Sequence, residues 1–358
     1  MPLHRLRSGV TRRQLGALAA LAWPPIIAKP ANAADAVTIV GPSGWFASDF
    51  DPLILAPFRK NHPGIGVFYY PMGNSFQMLA LLRGQRASPA TDVVLMEAAV
   101  AMRATSEGLL DRLTVDTMPV LKNLVPQAIL PAVAGPAVMM DSLALGYDPS
   151  EMATAPRSWR NLWDVAYARR IALQTPPDPL GLAITSVAAS LYGGNDLLRS
   201  LEVGMTALSQ LAPRVVLWDP VPDIYTAIAV GDAGVGPGWN ARAQNQAALT
   251  PERFAANIPE EGSPVMVTTI NLVKGSPRAD AARALIAWLL GSEAQRLLTE
   301  AMFFAPVNAR ADIATASLAR VGATPAMAAR RMEMDWVTVT SIRDQITAEW
   351  RRRKLGGH

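Results

Sequence analysis

The side chains able to do chemistry in this sequence are carboxylates and tryptophans set beside turn-forming residues. Glu97 follows the apolar run Asp92-Val93-Val94-Leu95-Met96, Asp178 sits within Pro176-Pro177-Asp178-Pro179, and Asp223 opens a stretch that reads as helical to Val230. Acids so placed pair with a cationic ligand, work as a carboxylate pair on a glycoside, or simply cap helices. Trp45, Trp218 and Trp239 lie in or beside loops that end predicted strands. There an indole face either stacks on a ligand or packs into the core. Ser43 and Gly44, with the amides that begin the following helix, either offer N–H groups to an anion or form a tight turn.

Other chemistry is absent. The 358 residues include no cysteine and three histidines, of which His4 and His358 are terminal, leaving His62 alone in the body of the chain. Disulfides, zinc-thiolate sites, cysteine nucleophiles and histidine-based triads are therefore not expected, and neither is a cofactor or metal. With 50% hydrophobic and 17% charged residues the chain must bury a large core, consistent with two lobes. The net charge of +4 comes from residues 1–33, where Arg5, Arg7, Arg12, Arg13 and Lys29 stand without an acid. The remainder is near neutral, so no nucleic-acid partner is expected. The run Arg351-Arg352-Arg353-Lys354 reads as a solvated tail or a phosphate-binding patch.

Those first 33 residues read as an export signal, with a basic start, an apolar stretch from Leu15 to Ile27 and small residues at Ala31-Asn32-Ala33. Cleavage is expected after Ala33, which places the mature chain in the periplasm. Thr11-Arg12-Arg13-Gln14-Leu15 is similar to a twin-arginine signal, with an ordinary secretory signal as the alternative. Pro24-Pro25 breaks the apolar stretch, which falls short of the ~20 residues of a spanning helix.

The elements that must position these residues alternate between strand and helix. Val37-Thr38-Ile39-Val40-Gly41, Gly66-Val67-Phe68-Tyr69-Tyr70 and Asp92-Val93-Val94-Leu95-Met96 predict strands. Between them residues 50–58 predict a helix with Pro52 near its start, and residues 75–83 one with Phe76, Leu79 and Leu82 on one face. Such alternation gives an α/β fold with a mainly parallel sheet flanked by helices, whose ligands bind beyond the carboxyl ends of strands. That rule selects the loop Gly41-Pro42-Ser43-Gly44-Trp45 and Met96-Glu97. A second region opens near residue 143, where Ser158 is placed to cap a short helix. Strands follow at 170–173, 215–219, 233–240 and 265–273, and helices at 183–192, 223–230, 279–290 and 292–302.

Three stretches carry a family resemblance. Pro156-Arg157-Ser158-Trp159-Arg160-Asn161-Leu162, running on to Arg170-Ile171-Ala172-Leu173, resembles a Pro-x-Ser-Trp-x-Asp-Leu…Gly-x-Ile-x-Leu segment, with Asn161 and Arg169 as departures. Gly238-Trp239-Asn240-Ala241-Arg242-Ala243 is similar to a Trp-Asn-Gly segment that puts an aromatic wall in a cleft. Ile258-Pro259-Glu260-Glu261-Gly262-Ser263, Lys274-Gly275, Leu289-Leu290-Gly291-Ser292-Glu293-Ala294-Gln295 and Phe304-Ala305-Pro306-Val307-Asn308 follow a C-terminal pattern in order. The family is the substrate-binding proteins of bacterial ABC importers, in the group that binds spermidine or putrescine, ferric ion and aminophosphonates.

The resemblance implies a two-lobe periplasmic-binding-protein fold of type II with a hinge of crossing strands. Residues 34–141 and 267–358, with the C-terminal helices, would form lobe one, and residues 142–266 lobe two. Its partners would be a small organic solute and a membrane permease, and the receptor itself is expected to be a monomer. Trp239 and Asn240 carry over to the cleft wall. The position where polyamine binders hold an acid falls on Thr268, which is neutral, and Asp178 remains of the acidic pair. The adjacent Tyr69 and Tyr70 lie on a lobe-one strand and point to opposite faces, which argues against ferric ion. A polyamine-like or a small anionic solute both fit. The alternative functions are a secreted carboxylate-pair hydrolase using Glu97 with Asp178, and a receptor that reports to a sensor.

Overall fold

The computed structural model describes residues 36–152, 154–332 and 334–356. The expected export signal, its cut after Ala33, His4 and His358 lie outside them. Among the described residues ten strands form one hydrogen-bonded sheet: β1 (Val37–Pro42), β2 (Val67–Met72), β3 (Val93–Glu97), β4 (Leu110–Asp111), β5 (Ala137–Tyr147), β6 (Ile171–Leu173), β7 (Val215–Trp218), β8 (Val235–Trp239), β9 (Ala255–Asn257) and β10 (Val265–Val273). The order is β2-β1-β3-β10-β5-β8-β6-β7, with β4 beside β10 and β9 beside β5.

Pairing is parallel at the two ends, where β1 joins β2 and β3, and β6 joins β7 and β8. It is antiparallel through the middle, because β10 pairs with β3 and β5, and β5 with β8. At the first end both faces are covered. Ile39, Val93 and Leu95 enter one core cluster while their neighbours Val40, Val94 and Met96 enter another, which is why these strands read as unbroken apolar runs. Along β5 the burial changes partner. Ala137 to Met140 pack into the first core, and Leu143, Leu145 and Tyr147 into a second core built with β6 and β8.

Several expectations are corrected. The first helix begins at Trp45 rather than residue 50 and runs as Trp45–Phe50, a π-helical stretch Asp51–Leu55, and Ala56–Asn61. Pro52 lies in the π-helical stretch, whose wider turn accommodates a residue with no N–H to give. In the helix Ser75–Gly84 the buried residues are Met78, Leu79 and Leu82, while Phe76 is 47% exposed and faces a cleft instead of the core. Helices at Ala98–Ser106, Leu197–Leu211 and Asn240–Leu249 were not foreseen.

Of the C-terminal residues expected with lobe one, Val321 is buried in the first core, but the last two helices contribute to the second. Val339, Ile346, Trp350 and Leu355, from Trp336–Ser341, Arg343–Arg352 and the turn beyond, are buried in the second core. The basic run at 351–354 is also partly neutralised, since Arg352 pairs with Glu349 and Arg353 with Glu202.

Candidate functional site

Strand ends converge on one cleft of about 710 Å³. From the first core it receives Ser43 and Trp45 after β1, Ser75 and Phe76 after β2, and Glu97 at the end of β3. From the second core come Asp178 in the loop after β6, Asp223 after β7 and Trp239 at the end of β8. All of these are carboxyl ends, where the strand-to-helix turns leave backbone and side chains free to face a ligand. The crossing strands supply the floor through Asp141 of β5 and Thr268 of β10.

The acids differ in how they are held. Glu97 stands opposite Thr268 in the β3–β10 register, and its backbone N–H donates to Ser75 Oγ at 3.0 Å. Burial raises its carboxyl above the usual carboxylate range, and the nearby charge of Asp178 raises it further. Asp178 caps the helix Pro179–Gly193, its Oδ1 accepting the Leu180 N–H at 2.8 Å. Its carboxyl is raised too, by burial first, against the opposing effect of that hydrogen bond. Asp141 accepts the Ala241 N–H at 3.0 Å, and burial pushes its carboxyl up to about 8. Asp223 is committed on both oxygens: Oδ1 accepts the Thr226 N–H at 2.7 Å and Oδ2 meets Arg242 at 3.3 Å.

Aromatic rings wall the space. Trp45 stacks on Phe304 with ring centres 6.1 Å apart and planes 12° from parallel. The Trp239 ring lies 6.0 Å from that of Trp336, and the Trp239 backbone N–H donates to the Tyr225 hydroxyl at 2.7 Å. The Arg242 guanidinium sits 5.4 Å from the Tyr225 ring centre, and that of Arg343 5.2 Å from the Phe76 ring centre. The cleft thus combines flat apolar walls, carboxylates raised by burial, and two guanidinium groups. That arrangement suits a small charged organic molecule stacked between rings.

Of the residues selected from sequence, Ser43, Trp45, Glu97, Asp178, Asp223, Trp239 and Thr268 line the cleft, and Gly44, Trp218 and Asn240 are not among its lining residues. Gly44 precedes the helix at φ 71°, a left-handed conformation that glycine adopts without strain, and its carbonyl accepts from Ser48. The Ser43 N–H donates to the Met72 carbonyl, so the turn reading describes this pair better than an anion cradle does. Trp218 packs edge-on against Trp350, 6.1 Å away, in the second core. Asn240 is buried, donating to the Arg320 carbonyl at 3.0 Å and accepting from Gln244. Its role is to fix the start of the helix Asn240–Leu249. Tyr69 donates to the Pro42 carbonyl at 2.6 Å, while Tyr70 is exposed.

Sequence reasoning missed Phe76, Asp141, Tyr225, Arg242, Trp336 and Arg343 as cleft residues. Tyr225 and Arg242 stand two and three places after the selected Asp223 and Trp239, so one helical turn's look-ahead would have found them. Asp141 lies at the crossover itself. Trp336 and Arg343 carry no local signal, because their place depends on where the chain's end docks.

Comparison with known proteins agrees with this geometry. Residues 54–329 match the family described as bacterial extracellular solute-binding protein. A periplasmic protein of Salmonella typhimurium named for binding 2-aminoethylphosphonate is 25% identical over 315 residues, which is 82% of this chain and 86% of that one. The gamma-aminobutyric acid-binding protein of Pseudomonas aeruginosa is 25% identical over 278 residues, 76% of this chain and 77% of its own. The crystal structure of the spermidine/putrescine ABC transporter substrate-binding protein PotD from Streptococcus pneumoniae shares the fold with a TM-score of 0.73 at 16% identity, covering 89% of this chain and 99% of that one. The chain belongs to the bacterial extracellular solute-binding protein family, and it is a solute receptor rather than an enzyme.

Proposed function

We propose that this protein is the periplasmic receptor of an ABC importer, that it takes one small amine-bearing solute into the cleft between two lobes, and that the closed form delivers it to a membrane permease. The lobes are the bodies around the first and second cores, with β5 and β10 as the hinge. Residues 1–33 act as the export signal, cut after Ala33, and the mature chain works as a monomer.

The observation that carries this reading is the placement of Glu97 and Asp178. The first comes from a strand end of the first core and the second from a loop of the second core, yet they line one cleft, and the charge of Asp178 raises the Glu97 carboxyl. Two buried carboxyls that resist ionisation together are relieved by a cation placed between them. An ammonium group there touches both lobes at once, and contacts of that kind exist only in the closed state, so binding draws the open–closed equilibrium shut. The relatives in hand are named for 2-aminoethylphosphonate, gamma-aminobutyric acid and spermidine or putrescine, all of which bear a primary amine.

Calorimetry with 2-aminoethylphosphonate, γ-aminobutyrate and putrescine tests the proposal. At least one binds at a single site per chain, and Glu97→Gln and Asp178→Asn each weaken it roughly 10-fold or more, the scale of a lost charge-assisted hydrogen bond. Binding untouched by both substitutions, or chemical conversion of the bound compound, would refute it.

A further inference from the structure

The region that matches the family ends at residue 329, but the cleft does not. Trp336, Thr340 and Arg343, all beyond that point, line it. They belong to a strap pinned at both ends. Trp336 Nε1 donates to the Val265 carbonyl at 2.8 Å, fixing the strap's start to β10. Trp350 Nε1 donates to Thr185 Oγ1 at 2.9 Å, fixing its end in the second core. Between these anchors Arg343 reaches across to the Phe76 ring of the opposite side.

The two guanidinium groups lining the cleft are not equivalent. Arg242 is satisfied by Asp223 at 3.3 Å and by Asn245 Oδ1 at 3.0 Å. Arg343 has a buried Nε without a hydrogen-bond partner, and the acid beside it, Asp344, is 3.5 Å away with its side chain 94% exposed, where water screens it. Phe76 beneath Arg343 follows Ser75, the residue that receives the Glu97 backbone N–H, and Arg343 and Glu97 line the same cleft. A planar guanidinium with only this screened, exposed acid beside it fits a carboxylate or phosphonate.

We infer that Arg343 of the C-terminal strap binds the anionic group of the solute, so that the receptor selects zwitterions carrying an ammonium at one end and a carboxylate or phosphonate at the other. This deepens the proposed function and rests on it for the ammonium end alone. The strap thereby sets specificity from outside the region that defines the family, while Glu97 and Asp178 recognise what amines share.

The test compares Arg343→Gln and Arg343→Lys with the parent, using calorimetry or the fluorescence of the cleft tryptophans. The probes are γ-aminobutyrate, 2-aminoethylphosphonate, putrescine and the amine-free ethylphosphonate. Arg343→Gln is expected to weaken the two zwitterions roughly 10- to 100-fold and putrescine by less than about 3-fold, with Arg343→Lys restoring part of the loss. The melting temperature of the empty protein stays unchanged. Equal weakening of putrescine and the zwitterions, no weakening at all, or failure of every anion-bearing probe to bind the parent overturns the inference. The two readings fail separately. If Glu97→Gln alters no affinity the amine reading falls, yet loss of ethylphosphonate or zwitterion binding in Arg343→Gln still upholds the anion subsite.

Discussion

An ammonium ion between Glu97 and Asp178 needs both carboxyls ionised, whereas burial favours the protonated form of each and the charge of Asp178 adds to the effect on Glu97. Each raised group must give up any proton it holds before the cation can pair with it. Amine affinity therefore falls as pH drops through the raised values, and binding in that range releases protons. Titrations from acidic to neutral pH in buffers of different ionisation heat check this, and a flat affinity with no proton release would contradict it. Asp141 makes a separate prediction. Its folded value of about 8 exceeds the unfolded one, near 3.9, so the stability it contributes is fully present below about pH 4 and lost as pH rises to about 8. Asp141→Asn keeps an acceptor for the Ala241 N–H and removes the titration. Chemical denaturation should find it more stable than the parent at about pH 8 and equal at about pH 4. At this scale the sequence revealed residue types and strand-end positions, hence Glu97, Asp178 and Trp239. It did not reveal that Trp218 would pack against Trp350, a partner 132 residues later in the chain.

At the scale of elements, β-branched runs gave most strands away, because such side chains suit a pleated surface buried on both faces. The helix Leu197–Leu211 escaped notice although Asp196 caps it, accepting from Leu198 and Arg199. Gly204 in its middle looks like a breaker. In the fold it is a notch: a Cβ there would stand 2.7 Å from the Ala189 amide nitrogen, so the absent side chain lets this helix lie against Pro179–Gly193. The C-terminal strap was equally illegible, since its few apolar anchors sit among charges and acquire meaning only against the second core. Trp350 is its main anchor, 2% exposed and bonded to the buried Thr185. Trp350→Ala is expected to cost roughly 3–5 kcal/mol of stability by opening a cavity. It should also weaken zwitterion binding through the displaced Arg343. A melting temperature within a degree or so of the parent would show that the strap is not part of the core.

For the whole molecule, the sequence placed a crossover near residue 141, and core membership along β5 changes between Met140 and Leu143. Across the cleft Asn245 Nδ2 donates to Asp49 Oδ2 at 3.3 Å. In the proposed receptor a ligand that touches both bodies shifts the open–closed equilibrium by its differential affinity, so occupancy is reported by shape. The most direct check is native mass spectrometry of the mature chain with the amine panel, followed by release and weighing of whatever was bound. The account predicts one adduct per chain, abolished in the Glu97→Gln/Asp178→Asn double variant, with the released compound unchanged in mass. Several adducts indifferent to that double substitution, or a released compound of altered mass, would contradict it.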